Sequence, residues 1–277
     1  MTSNPPLTIV VPVFNEGANF RALWSEIASA IHTPFTAIIV YDFDQDDTLP
    51  VVAQIVASGE NRIVRKRNAY GRGVTGAIKT GLEAVASGPV LVTMADLSDD
   101  LTQVDEMYGL YLQGFDLICG SRYMPGGRLV GGAFFKQALS RISGLTLHYV
   151  RGIPTHDATN SFKLYDAAMV RDLSVESVAG FELGLELTVK AFLHGYRIAE
   201  IPSTWRDRSA GTSKFRLFKW LPHYLKWYCY AYQARRVHGR AARGGSDSQH
   251  ADPIGDTMPT VRRSVETGAY DRGSNDG

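Results

Sequence analysis

The sequence predicts an α/β fold with a mostly parallel central sheet flanked by helices, and three observations support this prediction. Apolar runs of strand length alternate with helically spaced segments over residues 7–123. The apolar runs are nearly continuous, which is typical of strands that are buried on both faces of a parallel sheet. Polar residues recur where these runs end, and open α/β sheets bind their ligands at the carboxyl ends of the strands.

The individual elements follow in order along the chain. We expect strands over residues 7–14, 35–42, 62–66, 89–96 and 116–123. Helices are expected over residues 19–31, over residues 48–57 and from about residue 102 onward. A further helix is indicated by five apolar residues that share one face, namely Val74, Ala77, Ile78, Leu82 and Val85. Helices between parallel strands are expected to cross over with the right-handed sense.

The composition is that of a globular protein. The chain has 277 residues, of which 44% are hydrophobic and 21% charged, and this fits one large domain or two small ones. No run approaches ~20 uninterrupted apolar residues, and the first residues are not basic, so we expect neither a transmembrane span nor a signal peptide. Cys119 and Cys229 are too few and too far apart for a disulfide framework. Both are expected to be reduced core or interface residues.

The net charge of +1 conceals an uneven distribution. Residues 203–236 carry eight Lys and Arg against one Asp. Residues 237–277 carry five Arg and six acids with almost no apolar pattern, and such a segment is expected to be a disordered tail. The predicted organisation is a folded domain over residues 1–214, amphipathic aromatic and basic helices over residues 215–236, and the tail.

A cluster of acids ends the fourth predicted strand. In the segment "VTMADLSDD", Asp96, Asp99 and Asp100 follow a buried strand. Three carboxylates in one place repel one another unless a cation or hydrogen-bond donors offset them, and a divalent metal is the obvious candidate. The alternative for Asp99 and Asp100 is that one of them caps the helix that follows.

Residues 71–76, "GRGVTG", match the G-x-G-x-x-G pattern of dinucleotide-binding folds, which would indicate a dehydrogenase. However, that pattern belongs after the first strand of such a fold, and here it follows the third. The first strand ends in "PVFNEG" without a glycine turn. We therefore favour a glycine-rich helix start near a ligand, whose amides can face a phosphate.

Seven segments together resemble the inverting family 2 glycosyltransferases of the GT-A fold. They are "VPVFNEG", "IVYDFDQDDT", "NAYGRGVTGAIKTGLEAV", "MADLSDD", "GSRYMPGG", "HDATNSFKLY" and "WRDRSAGTSK". No single segment is very specific, and the order of all seven carries the resemblance. It covers residues 7–226 and is nearest to the polyprenyl-phosphate glycosyltransferases typified by dolichol-phosphate mannosyltransferases.

The resemblance implies an enzyme that moves a sugar from GDP-mannose or a UDP-hexose to a polyprenyl phosphate with inversion. It also implies Mg²⁺ or Mn²⁺ as cofactor, work at the cytoplasmic face of a membrane and no nucleic-acid partner. The donor-binding residues that it implies are Pro12, Asn15, Glu16, Asp42, Asp44, Gly73 and Asp96. The implied metal ligands are Asp96, Ser98 and Asp99.

On the acceptor side, the resemblance implies binding by Arg122, Lys163, Arg208, Ser213 and Lys214, and catalytic roles for Asp96, Arg122 and Asp157. A lipid phosphate is already ionised at neutral pH, so it needs positioning by cations more than it needs a general base. The alternative acceptor is a sugar hydroxyl in polysaccharide assembly, for which Glu182 is the candidate base. The plainer interpretation is that Glu182 and Glu186 pair with Lys190 on one helix face.

Two departures from the family pattern affect these expectations. The usual Asp-Asp-Gly-Ser is replaced by Tyr41, Asp42, Phe43 and Asp44, and the first acid of Asp-x-Asp is Met94. A thioether is a poor ligand for Mg²⁺, which prefers oxygen, so a metal would depend on Asp96 and the diphosphate. A degenerate binding or scaffold subunit is therefore the alternative to an enzyme.

The segment "SKFRLFKWLPHYLKWYCYAYQARR", residues 213–236, interleaves aromatic and basic residues. Pro222 cannot continue a helix in its interior, so we expect two short amphipathic helices with a break. Such helices favour the headgroup level of an anionic membrane. The alternatives are that the aromatic residues cover the sheet or form an interface between copies of the chain.

Overall fold

The structure is a computed structural model that describes residues 4–132, 134–178, 180–207 and 217–234. The strands are β1 (Leu7–Val13), β2 (Phe35–Tyr41), β3 (Ile63–Arg67), β4 (Pro89–Val92), β5 (Leu117–Ser121), β6 (Arg128–Val130), β7 (Lys163–Asp166), β8 (Ile198–Pro202) and β9 (Thr204–Arg206). The α-helices are α1 (Gly17–Ala30), α2 (Thr48–Ala57), α3 (Val74–Glu83), α4 (Val104–Leu112), α5 (Phe134–Tyr149), α6 (Ala167–Leu173), α7 (Leu183–Leu193) and α8 (Leu217–Gln233). A short 3₁₀ helix, Leu101–Gln103, precedes α4.

Seven strands form the main sheet, in the spatial order β3-β2-β1-β4-β7-β5-β8. β7 runs antiparallel to both of its neighbours, β4 and β5, and the other neighbouring pairs are parallel. The predicted mostly parallel sheet is thus confirmed. β6 and β9 form a separate parallel pair.

The central strand β1 explains why the first apolar run is continuous. It lies between β2 and β4, and Val10 packs into one hydrophobic cluster while Ile9 and Val11 pack into the other. Both faces are therefore buried, as expected for a parallel sheet. Pro12 is tolerated in this strand because pairing with β4 ends at Val10, so its missing N–H removes no bond to β4.

The fourth predicted strand is shorter than expected, because β4 ends at Val92 rather than at residue 96. Beyond this point the backbone turns toward the carboxylate of Asp99, which accepts hydrogen bonds from Thr93 and Met94. Leu97 takes a left-handed backbone conformation with φ of 60°. The acids therefore lie in a loop, which we call the acidic loop (residues 93–100).

Helix α8 continues through Pro222, so the predicted division into two helices is wrong. Proline removes one backbone hydrogen bond from a helix interior, at a cost of about 3 kcal/mol. The burial of the inner face of α8 offsets this cost, since Trp227 is 2% and Ala231 0% exposed within the core. The alternative that aromatic residues of this segment cover the fold is confirmed for Trp227.

The two cysteines differ in their exposure. Cys119 is free and buried in β5, whereas Cys229 is free and exposed on α8, so Cys229 is not a core residue. Burial raises the pKa of the Cys119 thiol to about 11.

The helices in the described ranges include none that is both long and apolar enough to cross a membrane. The predicted tail, residues 237–277, lies outside the described residues.

Candidate active site

Hydrogen bonds within the acidic loop fix its shape. Asp96 Oδ1 accepts from the amide of Ser98 at 3.2 Å and from its hydroxyl at 2.6 Å. Asp99 Oδ2 accepts from Thr93 Oγ1 at 3.0 Å and from Met94 N at 3.1 Å. Ser98 thus orients Asp96, and Asp99 ties the start of the loop to its end.

Asp96 and Asp100 are half-buried, whereas Asp99 is 6% exposed. Burial, reinforced by the charge of Asp96, raises the pKa of Asp99 to about 7. Over the described part of the chain, no group of three or more His, Cys, Asp or Glu side chains could hold a metal ion. Mg²⁺ commonly uses one or two protein carboxylates together with water and phosphate oxygens, and Asp96, oriented by Ser98, fits that kind of site.

Asp100 has the capping role that was the alternative for it. Its Oδ1 accepts from Thr102 Oγ1 at 2.6 Å and from Thr102 N at 3.3 Å, at the start of the 3₁₀ helix. A carboxylate in this position satisfies an amide that has no partner inside the helix. The capping interpretation is confirmed for Asp100.

The turn after β1 is held by residues that precede α2. The backbone N–H of Asn15 donates to the carboxylate of Asp46 at 3.1 and 3.2 Å, and the backbone N–H of Glu16 donates to Thr48 Oγ1 at 3.0 Å. Asn15 has a left-handed φ of 53°, and Asp46 is 1% exposed. This role of Asp46 was not predicted from the sequence, although the residue lies within the motif "IVYDFDQDDT".

Asp42 joins the end of β2 to the glycine-rich start of α3. Its Oδ1 accepts from Asn68 Nδ2 at 2.7 Å, and its Oδ2 accepts from the Gly73 amide at 2.9 Å. The expectation that the amide of Gly73 faces a phosphate is therefore wrong, because Asp42 already accepts from it. A carboxylate has about four lone-pair sites, so Asp42 can still accept from a ligand. Asp44 is exposed and pairs with Arg67 at 3.1 Å.

Two aromatic rings and an arginine lie beside Asp42. The rings of Phe14 and Phe43 are 5.6 Å apart in an edge-to-face arrangement, and the guanidinium of Arg72 lies 4.8 Å from the centre of the Phe43 ring. Phe14 is 37% exposed. Such a cluster offers flat apolar and cationic surfaces to a ligand ring. In the sequence, this cluster is indicated only by Phe43, which stands where the family pattern has glycine.

Arg122 and Asp157 form a buried bidentate ion pair. Arg122 Nε donates to Asp157 Oδ2 at 2.6 Å, and Nη2 donates to Oδ1 at 2.9 Å. The two side chains are 13% and 0% exposed. Burial alone would raise the pKa of Asp157, but the charge and hydrogen bonds of Arg122 outweigh it and lower that pKa. Nη2 also donates to Ser140 Oγ on α5 at 3.2 Å, so the loop that carries Asp157 and helix α5 together orient this guanidinium.

The predicted contact of Lys163 with an acceptor is wrong. Its side chain is 0% exposed in β7, and Nζ donates to the carbonyls of Ala158, at 3.2 Å, and Asn160. Burial lowers the pKa of this amine. The strand is buried on both faces, so Lys163 supports the loop that carries Asp157 instead of reaching a ligand.

The acids of α7 separate into two roles. Glu186 is 0% exposed and accepts from Lys190 Nζ at 2.7 Å, which confirms the ion-pair interpretation for this residue. Glu182 lies at the start of the helix and is 1% exposed. Burial and then the charge of Glu182 raise the pKa of Tyr224 on α8, while the charge of Arg122 opposes the rise. Tyr224, which the sequence analysis missed, therefore lies within the electrostatic reach of Arg122.

The remaining predicted acceptor residues, Arg208, Ser213 and Lys214, lie outside the described residues. The chain just before them is tied to the site, since Arg206 N donates to Ser98 O at 3.0 Å. His156 lies in the loop before Asp157, and its ring stacks on that of His148 with the ring centres 3.8 Å apart.

Comparison with known proteins assigns the chain to a family. The profile of glycosyl transferase family 2 matches residues 8–174. The chain belongs to this family. This membership decides against the dinucleotide-binding dehydrogenase that the glycine pattern had left open.

Two relatives of this family 2 glycosyltransferase align with most of its length. It is 27% identical over 232 residues to the dolichol-phosphate mannosyltransferase of Pyrococcus furiosus, and this alignment covers 80% of this chain and 64% of that protein. It is 25% identical over 214 residues to the polyprenol monophosphomannose synthase of Mycolicibacterium smegmatis, which covers 74% of this chain and 79% of that protein. The chain thus spans less than two thirds of the length of the Pyrococcus protein.

Solved structures share the fold at low sequence identity. Glucosyl-3-phosphoglycerate synthase of Mycobacterium tuberculosis, in complex with Mn²⁺, UDP-glucose and phosphoglyceric acid, gives a TM-score of 0.60 at 15% identity over 83% of this chain and 80% of that one. Residues 1–349 of S. aureus TarS give a TM-score of 0.54 at 15% identity, and the match covers 73% of this chain and 60% of that one. These similarities confirm the predicted GT-A-like fold.

Proposed function

We propose that this family 2 glycosyltransferase transfers a hexose from a nucleotide diphosphate-sugar to a polyprenyl phosphate with inversion. The observation that carries this proposal is the buried ion pair, because it offers an oriented guanidinium to the acceptor. A guanidinium attracts and positions a phosphate but cannot deprotonate a hydroxyl. The names of both relatives, which refer to dolichol-phosphate and to polyprenol monophosphomannose, agree with a lipid-phosphate acceptor.

On the donor side, the nucleoside is proposed to bind at Asp42. The free lone pairs of this carboxylate can accept from a base or a ribose, and the cluster of Phe14, Phe43 and Arg72 can stack against the base. Asn15 and Glu16 shape the neighbouring turn through their amides. GDP-mannose is the favoured donor because both relatives are named for mannose, and a UDP-hexose is the alternative.

A divalent metal, Mg²⁺ or Mn²⁺, fits at Asp96. When bound, it offsets the negative charge of the diphosphate leaving group. Ser98 holds Asp96 by two hydrogen bonds, and Asp99 holds the start of the acidic loop through Thr93 and Met94. Met94 supplies no oxygen ligand, so the protein contributes few ligands and the diphosphate the rest.

On the acceptor side, Arg122 is proposed to position the phosphate. Its bonds to Asp157 and Ser140 use Nε and Nη2, and the two N–H groups of Nη1 are those that a phosphate would engage. Asp157 acts by orienting Arg122. Arg208, Ser213 and Lys214 are proposed to add donors from the basic loop that follows β9.

A polyprenyl acceptor is held in a membrane, so the enzyme is proposed to work at the cytoplasmic face of a membrane. The excess of eight basic residues over one acid in residues 203–236 supports attraction to anionic lipid. An association between copies of the chain stays an alternative use of the same segment.

The test is transfer of radiolabelled sugar from GDP-mannose or UDP-glucose to polyprenyl phosphate in the presence of Mn²⁺. We expect organic-soluble label from one donor, and strongly reduced transfer in Arg122→Lys with the donor KM little changed, because lysine keeps the charge but cannot pair bidentately with Asp157 and reach the phosphate at the same time. Arg128→Lys, an exposed residue of β6, is the matched control. Label found only in a water-soluble sugar product would favour the sugar-hydroxyl alternative with Glu182, and no transfer from any donor would favour a scaffold.

A further inference from the structure

Arg72 is an exposed arginine at the edge of the proposed nucleoside site. It stands between Gly71 and Gly73 in the turn that opens α3. Its guanidinium lies over the half-buried ring of Phe43, 4.8 Å from the ring centre. The hydrogen bonds and ion pairs among the described residues include none that uses this guanidinium. Its N–H groups are therefore available to a ligand.

The backbone that carries Arg72 is fixed beside the acid proposed to bind the nucleoside. Gly71 and Gly73 have left-handed φ angles of 80° and 137°, which glycine adopts without a steric penalty. Asn68 Nδ2 donates to Gly73 O at 3.3 Å and to Asp42 Oδ1 at 2.7 Å. The backbone N–H of Gly73 donates to Asp42 Oδ2 at 2.9 Å. Arg72 is thus one residue away from a direct bond to Asp42.

The other arginine at this end of the sheet is already engaged. Arg67 Nη1 donates to Asp44 Oδ2 at 3.1 Å on the exposed surface. Arg72 instead lies over Phe43, and a guanidinium over an aromatic ring keeps the N–H groups at its edge for partners in its own plane. A guanidinium has five N–H donors in a fixed fork and no acceptor. A base that lies beside Arg72 therefore meets only donors.

The nucleobases differ in what they offer to such donors. Guanine has two adjacent acceptors, O6 and N7, and an arginine that donates to both is the commonest specific contact with this base. Adenine has N7 beside an amino group, so a second donor finds no acceptor there. A uracil base, like thymine, offers only O4 on the corresponding edge. The fork of an arginine is therefore fully used by guanine alone.

We propose that Arg72, held against Phe43, selects guanine by donating to O6 and N7 of the base. The inference rests on the proposed function, since it takes the nucleoside to lie at Asp42. It makes GDP the nucleotide of the donor on grounds that are independent of the names of the relatives. Phe43 is a positioning residue in this arrangement, because glycine, which the family pattern has here, offers no ring to hold Arg72.

The test is calorimetric titration of the full chain with GDP, 7-deaza-GDP and UDP in the presence of Mn²⁺ and without acceptor. In 7-deaza-GDP a C–H group replaces N7, so one of the two acceptors is lost. The parent should bind GDP at least ~5-fold more tightly than 7-deaza-GDP and at least ~10-fold more tightly than UDP. Arg72→Met, which has no donor, should bind GDP and 7-deaza-GDP equally.

The matched control is Arg65→Met, which removes the same charge from an exposed position in β3, opposite Ile39. It should keep the parent's ratio of GDP to 7-deaza-GDP affinity, so that base recognition is separated from a general attraction of the diphosphate. Phe43→Leu leaves Arg72 in place but removes the ring, and it should lower this ratio. The proposal is overturned if Arg72→Met keeps the ratio of the parent, or if the parent binds UDP at least as tightly as GDP.

Other outcomes separate this inference from the proposed function. A preference for GDP that depends on Arg72, in a chain that transfers no sugar to polyprenyl phosphate, supports the inference and refutes the proposed function. A parent that prefers UDP and transfers hexose from a UDP-hexose to polyprenyl phosphate overturns the inference and supports the proposed function. A parent that binds neither nucleotide refutes both.

Discussion

The ion pair of Arg122 and Asp157 shows how a single contact serves both stability and positioning. Burial penalises each charge, and only the opposite charge offsets that penalty. The carboxylate fixes Nε and Nη2 of the guanidinium and so determines which of its donors can face a ligand. Any change that neutralises Asp157 leaves a buried cation that has lost its counter-charge.

We predict that Asp157→Asn lowers the free energy of unfolding by about 3–5 kcal/mol at pH 7. The pKa of Asp157 is lowered in the folded protein, so its stabilisation is present above the unfolded value of ~3.9 and is lost as pH falls through the folded pKa. The difference in the free energy of unfolding between variant and parent should therefore shrink below pH ~4. Urea unfolding at a series of pH values measures this difference. Asp44→Asn, in an exposed pair, is the control, and a difference independent of pH would contradict the prediction.

A second prediction at this scale concerns Asp96. Asp96→Asn keeps the shape but removes the negative charge that this side chain offers to a cation, so turnover should fall by at least ~10²-fold. Met94→Asp should lower the Mn²⁺ concentration needed for half-maximal activity, because it adds an oxygen ligand. Asp100→Asn is the control, since asparagine also caps a helix. Full activity of the parent in excess EDTA would show that Asp96 has another role.

Among the site residues, those whose role depends on a strand end were the predictable ones. Asp42 and Asp96 follow the apolar runs of β2 and β4, and the pattern alone puts them at the ligand edge of the sheet. Lys163 and Gly73 were assigned wrongly because their partners, the carbonyl of Ala158 and the carboxylate of Asp42, are set by tertiary packing. A sequence does not reveal which donor is already used inside the protein.

At the scale of elements, local patterns identified the first half of the fold. The bounds of α2 agree with the prediction, and β1 and β2 differ from it by one residue, because their apolar runs end in polar turns. The antiparallel insertion of β7 between β4 and β5 was not predicted, since strand partners are chosen by nonlocal packing. The unbroken helix through Pro222 was mispredicted for the same reason, because burial of α8 outweighs a local penalty.

The close approach of α5 to the loop that carries Asp157 gives a prediction for this helix. Gly144→Ala should lower stability by about 1–3 kcal/mol, because its Cβ would lie 2.2 Å from a backbone oxygen of His156 and the helix would have to move. Gly109→Ala in α4 is the matched control, since no atom lies within 4 Å of its added Cβ. That change should raise stability by about 0.5–1 kcal/mol. Equal effects of the two substitutions in thermal unfolding would refute the packing argument.

For the whole molecule, the strand order explains why the site forms where it does. The chain proceeds from β1 to β2 and β3 on one side and then returns to place β4 on the other side of β1. β1 and β4 are parallel neighbours, so the loops that follow them lie side by side at the carboxyl edge of the sheet, where such sheets bind ligands. Asn15 follows β1 and Asp96 follows β4, so the two motifs lie at the same edge although they are distant in sequence.

Because the candidate site is built from loops that follow several strands, a bound donor should stabilise the entire fold. A ligand that binds only the native state at 100 times its Kd adds about 2.7 kcal/mol, which raises the Tm of a protein of this size by roughly 5–11 °C. We predict such a shift for GDP or UDP with Mn²⁺, with the larger shift identifying the donor nucleotide. Asp42→Ala should reduce the shift with or without metal, whereas Asp96→Asn should remove only the part that Mn²⁺ adds. Asp44→Ala is the control, and a full Mn²⁺-dependent shift in Asp96→Asn would place the metal elsewhere.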